Sequence, residues 1–103
     1  MTEKQRMLAN VVAREFEVPE NFVENKGRAK RVTAPKQVFS YFLYYKAEMT
    51  LHEVAKVLGY KEHTMILYNI KTVEGLYVED YFKARMDRVA DAAYKIYILN
   101  EKI

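Results

Sequence analysis

The chain has 103 residues with no Cys, three Gly, two Pro and a formal charge of +3 at pH 7. Such a length suits a single domain, spanning 1–103, that buries its own core without staples; the lack of Cys removes thiol catalysis, thiolate metal sites and disulfide frameworks, as in a reducing, cytoplasmic setting. No apolar run approaches the roughly 20 residues of a membrane span, and Met1 to Phe16 mixes Glu3, Lys4, Arg6 and Arg14 with its apolar residues, unlike a secretory signal.

Scarce Gly and Pro, few alternating stretches and no internal repeat predict an all-α fold, a compact set of six helices. The first helix, about Glu3 to Phe16, carries Leu8, Val11, Val12 and Phe16 as one stripe. Glu17-Val18-Pro19 breaks it, and Pro19 is suited to open a short second helix anchored by Phe22 and Val23. A basic loop follows, residues 26–31, with little apolar content to hold it down. Next comes a long helix, roughly Ala34 to Glu48, with Thr33 as N-cap and Pro35 in the first turn. Val38, Phe42, Tyr45 and Met49 form one stripe and Phe39 and Leu43 a second, so this helix is expected at the centre.

Thr50 to Gly75 reads as two short helices joined by a tight turn, the layout of a helix-turn-helix DNA reader. Thr50 and Glu53 make a capping box, in which each side chain satisfies an otherwise orphaned backbone N–H. Leu51, Val54, Ala55 and Leu58 share a face, and Gly59 stands where a helix end needs positive φ. The following helix, about 62–74, buries Ile66, Leu67, Ile70 and Val73 and is expected to end on Gly75 as a second C-terminal cap. Its other face presents Lys61, Thr64, Met65, Tyr68, Lys71 and Thr72, with Glu62 and His63 in the first turn, groups able to reach base edges and phosphates. The last helix, about Glu79 to Asn100, places Phe82, Met86, Val89, Ala93 and Ile96 at alternating steps of four and three, with Tyr81, Tyr94 and Tyr97 widening the apolar face. That repeat clamps the helix across the rest of the chain in preference to forming a homodimer seam.

Charge strengthens the DNA reading. Residues 26–73 hold nine Lys or Arg against Glu48, Glu53 and Glu62, a net of +6, while 1–25 carry −2 and 74–103 carry −1. Between Lys26 and Lys46 stand six basic residues and no acid, whereas an ordinary solvated face mixes signs.

The motifs also carry a resemblance. Arg28, Val32, Lys36-Gln37, Thr50-Leu51-x-Glu53 and Gly59-x-Lys61-Glu62-His63-Thr64 follow the order and spacing of the C-terminal DNA-binding domain of the bacterial replication initiator DnaA. The family signature Gly-Gly-Arg-Asp-His-Ser/Thr-Thr-Val appears here as Gly59-Tyr60-Lys61-Glu62-His63-Thr64-Met65-Ile66. The match runs without a gap from Arg28 to Val73 and more loosely back through Val12. It implies that Arg28 enters the minor groove, that Lys36, Gln37 and Lys61 hold phosphates, and that Glu62, His63 and Thr64 read bases in the major groove. Lys30 joins the phosphate contacts through its charge. Lys61 and Glu62 replace Arg and Asp, and Met65 and Tyr68 replace Thr and His, so the preferred site need not be the DnaA box. None of Gly27, Gly59 and Gly75 belongs to a G-x-x-x-x-G-K-[ST] loop, and the resemblance implies a stand-alone DNA-binding domain without the ATPase unit.

Other chemistry finds little support. His52 and His63, the two histidines, lack the i, i+4 spacing of a helical metal pair, and no acid or metal cluster surrounds Tyr41, Tyr44 and Tyr45. No metal, cofactor, small-molecule substrate or enzymatic activity is expected. The partner is double-stranded DNA, in replication-origin binding or transcription regulation; the alternative is a helical adaptor whose basic face docks an acidic protein.

Overall fold

The computed structural model describes residues 1–25 and 30–99, and the side chains among them except those of Lys30 and Arg31. The described residues form five α-helices: α1 (Glu3–Phe16), α2 (Lys30–Tyr45), α3 (Leu51–Leu58), α4 (Thr64–Leu76) and α5 (Asp80–Tyr94). The expected short second helix is instead a single 3-10 turn, Phe22–Glu24, and a π-helical segment, Lys95–Leu99, follows α5. The radius of gyration is 12.6 Å, against about 13 Å for a compact chain of this length.

α1 has the expected bounds because its first turn is closed by its own side chains. Thr2 Oγ1 accepts from the Gln5 N–H at 3.1 Å, and the Thr2 N–H donates to Gln5 Oε1 at 3.0 Å. Leu8 and Val12 are fully buried with Ala9 and Ala13, whereas Val11 and Phe16 pack at the margin of the core. The helix ends on Glu17, which takes the left-handed conformation with φ 55°. The 3-10 turn then drops Phe22 and Val23 into the core, and Phe22 meets Phe39 edge-on with ring centroids 6.1 Å apart.

α2 departs from expectation at both ends. It begins at Lys30, ahead of Thr33, so Pro35 lies inside the helix and not in its first turn. Pro35 has no N–H for the carbonyl four residues back, a lost bond that tertiary burial offsets. Pro35 itself is buried, and Val38, Phe39, Phe42 and Leu43 beyond it are almost fully so. At the other end the helix stops at Tyr45, and the chain leaves it through Glu48 at φ 56°. Tyr45 is consequently exposed, and Met49 lies past the helix. The central position holds: α2 packs against α1, α3, α4 and α5.

α5 lies against α1 and α2 and buries Phe82, Met86, Val89 and Ala93 within this chain, with Ile96 continuing the row. Its last turn widens to π winding from Lys95, where Ile96 and Tyr97 are both buried. Tyr97 thus joins the core while Tyr81 and Tyr94 stay exposed. Burial pushes the Tyr97 hydroxyl up to about 12. No helix among the described residues is long and apolar enough to cross a membrane.

Candidate nucleic-acid interface

α3 has both ends written in its residues. Thr50 Oγ1 accepts from the Glu53 N–H at 3.2 Å, the Thr50 N–H donates to Glu53 Oε1 at 2.9 Å, and Gly59 caps the far end at φ 76°. The Thr50 N–H holds the Glu53 carboxyl below the usual carboxylate range, assisted by the Thr50 hydroxyl. Val54, Ala55 and Leu58 are buried, so α3 forms a floor across which the turn carries the chain into α4.

α4 begins at Thr64, so Glu62 and His63 precede the helix and do not lie within its first turn. It runs through Gly75 to Leu76 and is capped by Tyr77, which corrects the expected stop at Gly75. Ile66, Asn69, Ile70 and Val73 face inward, mainly toward α2. Leu67, expected among the buried set, is exposed instead. The 3.6-residue period explains this: 66, 69, 70 and 73 define one arc, and 67 lies at its edge.

The opposite side gathers most of the expected contact residues. Lys61, Glu62, His63, Thr64, Met65, Tyr68 and Lys71 are all exposed, Met65 at 47% and Tyr68 at 62%. The Thr64 hydroxyl donates to Glu62 Oε2 at 3.5 Å, a long bond that leaves both groups facing solvent. The surface therefore mixes cations, one carboxylate, an imidazole, a hydroxyl and two large flat or flexible side chains, a set that can hydrogen-bond phosphates and base edges and pack on thymine methyls.

Lys36 and Gln37 are placed differently. Both are buried on α2, and the Lys36 ammonium donates to the Asn25 carbonyl. Burial lowers the Lys36 pKa from the usual lysine value. Arg28 lies outside the described residues; Lys30 is the first residue of α2, its side chain outside them.

His52 was not expected near the reading surface. Its ring stands 5.1 Å from that of His63, centroid to centroid, with the planes 63° apart. Spacing along the chain could not reveal this, since the contact is made only when the turn at 59–63 folds α4 back over the start of α3. Among the described residues no group of three or more His, Asp or Glu is assembled as metal ligands.

Comparison with known proteins agrees with this arrangement. The family model for the bacterial DnaA protein helix-turn-helix matches residues 6–73. The chromosomal replication initiator protein DnaA of Bacteroides fragilis is 28% identical over 68 residues, covering 66% of this chain and 14% of that protein. The DnaA proteins of Bacteroides thetaiotaomicron and of Rhodopseudomonas palustris strain BisB18 are 25% and 29% identical over 83 and 73 residues, 80% and 71% of this chain and 18% and 15% of theirs. The chain thus spans less than a fifth of the length of these curated relatives. No solved structure gives a significant match. With the family model covering most of its length, the chain belongs to the bacterial DnaA helix-turn-helix family of DNA-binding domains.

Proposed function

We propose that this chain binds double-stranded DNA sequence-selectively, with α4 in the major groove and the basic segment 26–31 at the adjacent minor groove. The observation that carries this reading is the exposed row Lys61, Glu62, His63, Thr64, Met65 and Tyr68, which runs from the turn into α4, a helix whose reverse side is locked into the core. Glu62 accepts from a cytosine amino group, His63 and Thr64 contact thymine methyls, and Lys61 neutralises a phosphate. Met65 and Tyr68 extend the contact along the groove. Arg28 reads the narrow minor groove of A/T-rich flanks, where negative potential is concentrated. Lys36, buried and held on the Asn25 carbonyl, and Gln37, buried on α2, are left out of the phosphate contacts. The setting is replication-origin binding or transcription regulation in the cytoplasm. A monomer is the acting species, because the α5 row of Phe82, Met86, Val89 and Ala93 is used up inside the chain.

The test is site selection from randomised duplex DNA, followed by titration of the selected site. If Lys26, Lys30 and Lys61 each neutralise a phosphate, with Arg28 in the minor groove left out of the sum, log K should fall against log salt with a slope of about −2.7. Glu62→Ala should lose roughly 1–3 kcal/mol of discrimination at one base pair while non-specific binding holds or strengthens. Failure to enrich any site, with retention on an acidic protein instead, would establish the adaptor reading in its place.

A further inference from the structure

Asn69 is the one polar residue among those buried on α4. Its amide Nδ2 donates across the helix interface to Ser40 Oγ on α2 at 3.4 Å. Ser40 Oγ in turn donates to the Lys36 carbonyl at 2.8 Å, and the Lys36 ammonium donates to the Asn25 carbonyl. Exposure along this thread is 3% at Asn69, 0% at Ser40 and 8% at Lys36. Asn25 is the last described residue before the basic segment. Two polar contacts meet at Lys36, one on its carbonyl from Ser40 and one from its ammonium to Asn25, and the lysine itself links the back of the recognition helix to Asn25.

We propose that Ser40 and Asn69 are positioning residues that set the rotation and axial placement of α4 on α2. This inference rests on the DNA-binding reading above. Ile66, Ile70 and Val73 supply the attraction between the two helices, but apolar contact is non-directional and tolerates a small roll or slide of one helix on the other. A hydrogen bond does not. Rolling α4 would part the Asn69 amide from Ser40 Oγ, and the desolvation cost of an unpaired buried amide favours the orientation in which the two meet, even across a bond as long as 3.4 Å. Buried polar pairs of this kind contribute little net stability while selecting one arrangement among several. Here the selected arrangement decides where Glu62, His63 and Thr64 stand relative to Asn25 and the start of α2, the two described points that flank residues 26–29. Small angular errors at the helix axis become displacements at the side-chain tips that read bases, whereas contacts to phosphates by flexible lysines accommodate them. The pair should thus govern selectivity and leave bulk affinity alone.

The experiment measures Kd for two duplexes, one selected by the wild-type chain from a randomised pool and one of shuffled sequence, and compares their ratio between variants. Ser40→Ala removes the acceptor at almost unchanged volume, and Ser40→Ala with Asn69→Ala removes both polar groups, so that no amide is left unpaired if the single variant folds poorly. Circular dichroism establishes folding first. The expected result is a roughly tenfold fall in the ratio for the folded variants, with shuffled-sequence affinity and salt slope unchanged, and a double variant that falls no further than Ser40→Ala, because the two residues act as one contact. A wild-type ratio in a folded variant would overturn the proposal while leaving the DNA-binding reading intact. Loss of fold in both variants would make the pair purely structural and overturn it too. A wild-type chain that shows no preference between the two duplexes would sink both the proposal and the reading beneath it.

Discussion

The two helices of the helix-turn-helix are held at their ends by different means. In α3 the polar side chains of the first turn are consumed by the helix's own backbone: Thr50 and Glu53 satisfy each other's N–H, and Gly59 supplies the left-handed stop. In α4 the corresponding residues do almost nothing for the backbone. His63 stands at the N-cap in a helical conformation with no side-chain capping bond, and the far end runs through Gly75 into Leu76 without a left-handed residue. α4 is positioned by what it buries, Ile66, Asn69, Ile70 and Val73, and that frees Glu62, His63 and Thr64 to face outward. Side chains spent on capping are held against the backbone, whereas those before and at the start of α4 stay exposed to solvent.

The sharpest way to break this contrast is to attack the packing of α4. Ile66 is fully buried, so Ile66→Ala should cost about 2–5 kcal/mol in chemical denaturation. Because α4 has no end signals of its own, its amides should also lose exchange protection ahead of those of α3. Simultaneous loss in both helices would mean that α4 has local stability that its ends do not reveal.

Next in size is the turn between the helices. Gly59 has φ 76°, and a Cβ built there would meet no atom within 4 Å, so the penalty for a side chain is purely one of backbone conformation. Gly59→Ala should destabilise by roughly 1–2 kcal/mol. An unchanged stability would show that the turn relaxes out of the left-handed region at no cost, and would remove the claim that α3 fixes its own end.

Thr50→Ala should cost about 1 kcal/mol through the lost cap, whereas His63→Ala at the equivalent position of α4 should stay within about 0.5 kcal/mol. The capping box also carries a pH signature. Its Glu53 carboxyl is depressed in the folded chain, so the stability it contributes is present above the ordinary carboxylate range and is lost as pH falls through the folded value. Melting wild type and Glu53→Gln from neutral to acid pH should therefore show two curves that converge on acidification. Parallel curves would place the box outside the folded state's energetics.

The same contrast explains what could be read from residues alone. The start of α3 is legible to the residue because Thr50-Glu53 is a local device, complete within four positions; Thr2-Gln5 is the same device at the start of α1, whose bounds follow from its apolar stripe without it. α2 and α4 were legible in existence and in most of their buried faces, but not in their ends. Pro35 is a first-turn residue by local preference, and only the burial of the surrounding turn lets α2 begin at Lys30. The exposure of Lys61 to Met65 and of Tyr68 is readable from helical period and charge. The inward placement of Lys36 and Gln37 was not, because a basic residue at the head of a helix normally stays in water and the Asn25 carbonyl that draws Lys36 in comes from another element. The meeting of His52 with His63 was invisible for the same reason.

The smallest effect is the most direct check on the corrected end of α4. By its sequence context Gly75 is a left-handed cap like Gly59, and in the structure it is the penultimate residue of α4, outside the positive-φ region. At such a position glycine weakens a helix through the backbone freedom it loses on folding, and alanine should restore about 0.5–1 kcal/mol. A Cβ at Gly75 meets nothing within 4 Å, so no steric term competes with that gain. The identical substitution is thus expected to have opposite signs at the two glycines, destabilising at Gly59 and stabilising at Gly75. Thermal melts of Gly75→Ala beside wild type decide the matter: a lowered melting temperature would mean that the helix ends before Gly75 in solution, with the glycine turning the chain as its sequence context first indicated, and α4 would then carry a local stop signal like its neighbour.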